Sequence, residues 1–370
     1  MPDLFRNIFS SIVRGIRIIS SDPIKAAILF AYLSICMFTW RGLIFRKYLP
    51  LKSNLLIGEK FSGRVSHTVD STIPVLSPYG YDSQFSWILS LHPFPVDSLV
   101  AKGIDHYAYR SQRLLLPFLT WMTIRDATQI VYGLWFWCSI GVVLGIIAVY
   151  KLSVWYNVSP VIPLLAYILN PGLYITTVFP MPDGLACSLT MMALYCWLSN
   201  RYFVSSLLFA LTCLTKEYYA FIVFYLLAYA VWKNKVMMTD IKKHLILLGS
   251  LLPMLAWQFI IRYKTGEWSF SASGGNFDWP FSGIYHCWAR CCTDPYLLKE
   301  YAAGTLFYFM CGLILYKMIR GKQDAITFIM MCLCTHVMVY GAAILESDWS
   351  FLRVSLPLTT LLPISLLKTL

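Results

Sequence analysis

Acids and bases are scarce in this chain, and a few of them stand in short polar phrases between apolar runs, where they are placed to do chemistry. YGYDSQFS at 79–86 carries Asp82. A carboxylate there can take a proton from a hydroxyl as a general base, or it can cap the helix that the next residues predict; both roles are open. Arg110 and Arg113, in AYRSQRLLLPFLTW, lie three apart and so on one helical face, just before an apolar segment. Paired guanidiniums suit a phosphate, whose oxygens accept several charge-assisted hydrogen bonds, and the competing use is snorkelling to lipid headgroups. LTKEYYA adds Lys216 and Glu217, an ionisable pair where two apolar runs meet, which is either functional or self-neutralising. Asp183, between Pro182 and Gly184, opens a helix, and there a capping role is favoured. Arg353, near Glu346 and Asp348, is either a structural ion pair or a further phosphate ligand. Tyr107, Tyr109 and Trp121 read as an aromatic belt.

The elements that must hold these residues are set by composition. Of the 370 residues, 58% are hydrophobic and 13% charged, with a mean hydropathy of +0.63. A soluble globule carries about a quarter charged residues, so the expectation is an all-α polytopic membrane protein with one domain over 1–370. Apolar runs place about ten spans, near 24–45, 127–150, 160–178, 181–199, 202–214, 217–232, 244–262, 301–318, 325–344 and 351–368. The run 202–214 is short for an upright crossing and reads as part of a re-entrant hairpin. Residues 1–20 put Leu4, Phe5, Ile8 and Ile12 on one helical face and Arg6, Arg14 and Arg17 on the other, a cationic interfacial helix on the cytoplasmic side.

With the N-terminus inside, Lys151, Arg201, Lys233, Lys235 and Lys242 fall in cytoplasmic loops, as the positive-inside rule requires. The outer face then receives the long loop 46–111, the turns at 180–184 and 215–219, the loop 263–300 and the segment 346–353, and with them every polar cluster named above. The net charge of +12 is strung between spans and forms no basic stripe, which argues for membrane lipids and against nucleic acid as the partner. Cys287 with Cys291 or Cys292 could bridge in an outer loop, and a metal site there lacks a second spaced pair. SQFSWILSLHPF predicts a short helix lying in the membrane interface.

GYDSQFSWILSLHPF followed by YAYRSQRLLLPFL resembles the first-loop signature of bacterial integral-membrane glycosyltransferases of the GT-C superfamily, and MPDGLACSLTMMALYCWL, LTKEYYA and WSFLRVSLPL resemble that group's later landmarks in the same order. Ser83 departs from the group's usual glycine, and Lys216 stands where arginine is frequent. The resemblance implies a GT-C-like architecture in a bacterial inner membrane, with a site facing the periplasm or cell exterior. It implies transfer of a sugar from a polyprenyl-phosphate donor to a lipid-linked or glycan acceptor, with inversion and with Asp82 as the base. Arg110, Arg113, Lys216 and Arg353 would then bind the donor phosphate, while Tyr81, Gln84, His92, Asp183 and Glu217 would contact substrate. This scheme calls for no cofactor or metal, since fixed cations stabilise the leaving phosphate. A transporter or flippase of a polyprenyl-linked intermediate would instead need ionisable residues through the midplane and repeat symmetry, and a scaffold would pair the outer charges around no open cavity.

Overall fold

In the computed structural model the described residues are 51–95, 99–234, 245–272, 278–293, 306, 309–317, 320, 324–340, 344 and 348–368. The helix expected over 1–20 and the span expected over 24–45 lie outside them, as do Glu346 and the side chains of Asp348, Cys287, Cys291 and Cys292.

The described residues of the long loop 46–111 fold into a small layer of their own. Strand β1 (Ile57–Gly58) pairs in parallel with β2 (Val75–Ser77), and helix α1 (Arg64–Val69) lies in the crossover between them. Next come α2 (Ser83–Leu91), α3 (Tyr107–Ser111) and α4 (Leu115–Thr123). Leu55, Ile57, Val65, Ile73, Phe85, Trp87 and Ile88 form one buried cluster that continues into Ile130, Leu134 and Leu185 of the bundle. Burial of these large side chains, at roughly 1.5–3 kcal/mol each, fixes the layer to the helices beneath it. Helix α2 therefore does not lie in a lipid interface as its sequence suggested: every residue from Ser83 to Ser90 is buried, enclosed by α4 and the first helix of the bundle.

The bundle begins with α5 (Ile130–Trp155), whose 26 residues span about 39 Å and exceed the ~30 Å hydrocarbon core of a bilayer. It packs along α8 (Pro182–Leu198), with α6 (Val161–Ile168) and α7 (Pro171–Val178) alongside. Helices α6 and α7 meet at a 44° bend. Pro171 cannot continue the ladder, and Asn170 caps the new helix by accepting from the Gly172 amide at 2.9 Å. Helix α9 (Tyr202–Thr215) returns along α8, the chain breaks at Lys216, and α10 (Ala220–Asn234) follows. Then come α11 (Leu252–Thr265), α12 (Ala325–Met338), α13 (Asp348–Val354) and α14 (Leu356–Leu367). Gly172 lets α7 approach α13 closely, since a Cβ there would sit 2.2 Å from the Leu352 carbonyl oxygen.

Among the described residues, two helical stretches are long and apolar enough to cross a membrane, Ile130–Trp155 and Leu245–Thr265, or three counting α6 with α7 as one broken span. Two of the apolar runs that read as spans are interrupted: 160–178 is divided at Pro171 into α6 and α7, and 244–262 turns at residues 250–251, just before Pro253 opens α11. The run 202–214 forms a single 14-residue helix. Large apolar side chains such as Phe136, Phe203, Leu207, Phe224, Leu252 and Phe259 are exposed on helices of the bundle, an apolar exterior that water alone does not favour.

Candidate active site

Asp82 stands on a braced turn. The Gln84 side-chain carbonyl accepts from the Gly58 amide at 2.9 Å, and its NH2 donates to the Tyr79 carbonyl at 2.9 Å. Ser83 donates to the Leu55 carbonyl at 2.6 Å, and the Tyr81 amide to the Leu56 carbonyl at 3.0 Å. The turn needs its two glycines. Gly80 has a φ of 74°, and a Cβ on Gly58 would lie 2.1 Å from the Tyr79 carbonyl carbon. Gln84, expected to touch substrate, spends both ends of its amide on this brace and does not line the cavity.

Although Asp82 occupies the N-cap position of α2, its carboxylate makes no capping hydrogen bond. It points away from the helix and is clamped by two guanidiniums: Arg110 Nη1 donates to Oδ1 at 2.9 Å, and Arg353 Nη1 to Oδ2 at 2.8 Å. The two arginines reach it from 28 and 271 residues away along the chain, so tertiary partners outcompete the local cap.

Each cation is itself held. Arg110 is gripped side-on by Asp105, with Nε to Oδ1 at 2.9 Å and Nη2 to Oδ2 at 2.7 Å, and its guanidinium lies 4.4 Å from the Phe85 ring centroid. Arg113 donates to Tyr109 at 2.8 Å and to both oxygens of Glu217 at 3.3 Å. Lys216 pairs with Asp183, and Arg353 Nε lies 3.6 Å from the same Asp183 oxygen. Asp183 is thus an ion-pair partner deep in the protein, and the capping role its sequence position favoured is not the one it plays. Lys216 and Glu217, adjacent in sequence, do not neutralise one another; each pairs across to another element.

These groups surround a cavity of about 360 Å3 lined on its polar side by Asp82, Tyr109, Arg110, Arg113, Lys216, Glu217 and Arg353. Tyr218, Phe221, Phe270, Tyr340, Ile344 and Val354 form the apolar side. Phe270 brings the loop that follows α11 into the wall, while Tyr109, placed in an aromatic belt by its sequence, belongs to the site. Tyr81 lies beneath Arg353, with the guanidinium 5.5 Å from its ring centroid, and does not line the cavity. His92 is exposed at the far end of α2 and is not part of the site. Asp105 is the residue that sequence reasoning missed; it sits just before α3, five positions ahead of the arginine it orients.

Burial alone would raise the Asp82 carboxyl, but the Arg110 and Arg353 guanidiniums, with Arg113 and Lys216 behind them, hold it well below the usual carboxylate range. At the break between α9 and α10, burial pushes the Lys216 ammonium down to about 8, against the pull of Asp183. The site thus offers an ionised acid flanked by four cations, beside an apolar wall. Among the described residues no three His, Cys, Asp or Glu side chains converge as a metal-binding set. No family model, curated protein or solved structure matches the chain.

Proposed function

We propose that this chain is an inverting membrane glycosyltransferase that moves a sugar from a polyprenyl-phosphate carrier to a lipid-linked or glycan acceptor on the outer face of a bacterial inner membrane, anchored by about ten spans. The observation that carries the reading is the Asp82 carboxylate held between Arg110 and Arg353 at a cavity that Arg113 and Lys216 also enter. A volume of about 360 Å3 falls in the range of about 300–1,000 Å3 typical of ligand pockets. The acids and bases pair with one another, as a scaffold's would, yet they do so around an open space that a scaffold does not need.

In this mechanism the donor phosphate takes a share of the Arg110 and Arg353 guanidiniums. The Asp82 carboxylate, relieved of part of that attraction, becomes a better proton acceptor. It takes the proton of the acceptor hydroxyl as that oxygen attacks the anomeric carbon and the polyprenyl phosphate departs. Charge growing on the leaving oxygen is met by fixed cations that interact more strongly with the transition state than with the donor. Tyr218, Phe221, Tyr340 and Ile344 provide the apolar wall for the first units of the carrier tail.

The test is reconstitution with polyprenyl-phosphate sugars. Asp82→Asn should retain donor binding, since it leaves the cations in place, and lose transfer by about 100-fold or more, the usual contribution of a general base. Transfer at the wild-type rate by the asparagine variant would remove Asp82 from the chemistry.

A further inference from the structure

A second hollow is lined in part by the turn that presents Asp82. It encloses about 530 Å3 and is lined by Glu59, Lys60, Gly63, Arg64, His67, Val75, Pro78 and Tyr79. Tyr79 is 63% exposed, an unusual state for a tyrosine ring in a well-packed layer. It is nonetheless held firmly by its backbone: the Gln84 side chain binds its carbonyl at 2.9 Å, Gly58 abuts it, and the Lys60 ammonium sits 5.0 Å from its ring centroid. An exposed ring on a fixed backbone is a platform on which a sugar face can pack. Around it stand two basic side chains, Lys60 and Arg64, one carboxylate, Glu59, and the imidazole of His67.

We infer that this groove is an acceptor subsite for an acidic saccharide chain, in which Tyr79 packs against a sugar ring and Lys60 and Arg64 recognise its carboxylate or phosphate substituents. The inference rests on the transferase reading and adds the class of acceptor. One braced turn then serves both partners of the reaction. Tyr79 faces the groove and Asp82 faces the donor cavity, three residues apart and so within about 11 Å along the chain. An acceptor chain lying on Tyr79 is thereby anchored close to the base that must activate its terminal hydroxyl. Planar aromatic faces supply the apolar contact, and the guanidinium of Arg64 offers bidentate geometry to an acidic group.

The experiment measures binding of a galacturonic acid hexamer, with maltohexaose as the neutral control, to the full-length protein in nanodiscs of zwitterionic lipid. The acidic hexamer should bind, the neutral one should bind at least about tenfold more weakly, and both Tyr79→Ala and the double variant Lys60→Ala/Arg64→Ala should weaken the acidic hexamer by about tenfold or more. These side chains are exposed, so the variants should unfold at the wild-type temperature, and that measurement separates lost binding from lost fold. Equal affinity in the variants, or equal affinity for the two hexamers, overturns the inference. So does displacement of the hexamer by anionic-lipid vesicles with the same dependence on Lys60 and Arg64, which would assign the groove to the membrane surface. Polyprenyl-phosphate binding is followed in parallel: if it persists while the groove variants change nothing, the groove inference alone fails. If the groove behaves as stated but Asp82→Asn transfers sugar normally, the proposed chemistry fails and the groove stands.

Discussion

Removing the Lys216 ammonium tests the charged floor of the cavity without any assay of turnover. The Lys216 and Asp183 side chains are 5% and 1% exposed, and Asp183 Oδ2 makes no hydrogen bond. Lys216→Met keeps most of the side-chain volume but leaves a buried carboxylate whose remaining cation, Arg353, stands 3.6 Å away. Breaking a buried pair from one side costs about 3–5 kcal/mol, because the surviving charge is left uncompensated, and the residual Arg353 contact puts this case near the lower end. At about 2.1 cal/mol/K of unfolding entropy per residue over 370 residues, the detergent-solubilised variant should unfold roughly 4 °C below wild type. Adding Asp183→Asn removes the stranded charge, so the double variant should recover most of that loss, leaving a coupling of about 2 kcal/mol or more in the double-mutant cycle. It should not recover polyprenyl-phosphate affinity, since the phosphate-facing cation is still missing. A single variant as stable as wild type, or a double variant no more stable than the single, would refute the claim that Lys216 neutralises Asp183.

Asp105→Asn should leave the fold intact but loosen Arg110, raising the KM for the donor more than it lowers kcat, by roughly tenfold for one weakened charge-assisted contact; Asp105→Glu should recover part of the loss, and unchanged kinetics would show that Asp105 does not position the guanidinium. Donor affinity should fall as pH rises through about 8, where Lys216 loses its proton, and Lys216→Arg should abolish that alkaline limb. Asp82 acts at the acid end: its depressed carboxyl contributes stability that is present above the ordinary carboxylate range and is lost as pH falls through its lower folded-state value.

Much of the site was legible because charges are rare in a chain this apolar. Arg110, Arg113, Lys216 and Arg353 each stood out against hydrophobic neighbours, and sorting them by side of the membrane placed them together with Asp82 and Asp183. What each pairs with was not legible. Local rules assign an aspartate at a helix start to capping, and both Asp82 and Asp183 are drawn off by partners far along the chain. The two strands of 2 and 3 residues are too short to carry a period. Helix α2 reads as a helix of the membrane interface, but it is buried in the protein, where Ser83 and Ser90 donate to carbonyls. Asp105 gave no signal, since a five-residue spacing to Arg110 matches no helical pair; the turn between them brings the two together.

The most direct measurement is a structure determined with polyprenyl phosphate bound. The account predicts phosphate density between Arg110 and Arg353, within hydrogen-bond reach of at least one further cation from Arg113 and Lys216, with the first isoprene units against Tyr218, Phe221 and Tyr340 and with Asp82 facing the space left for an acceptor. Phosphate bound elsewhere, with Asp82 still clamped between its two arginines and the cavity empty, would contradict it.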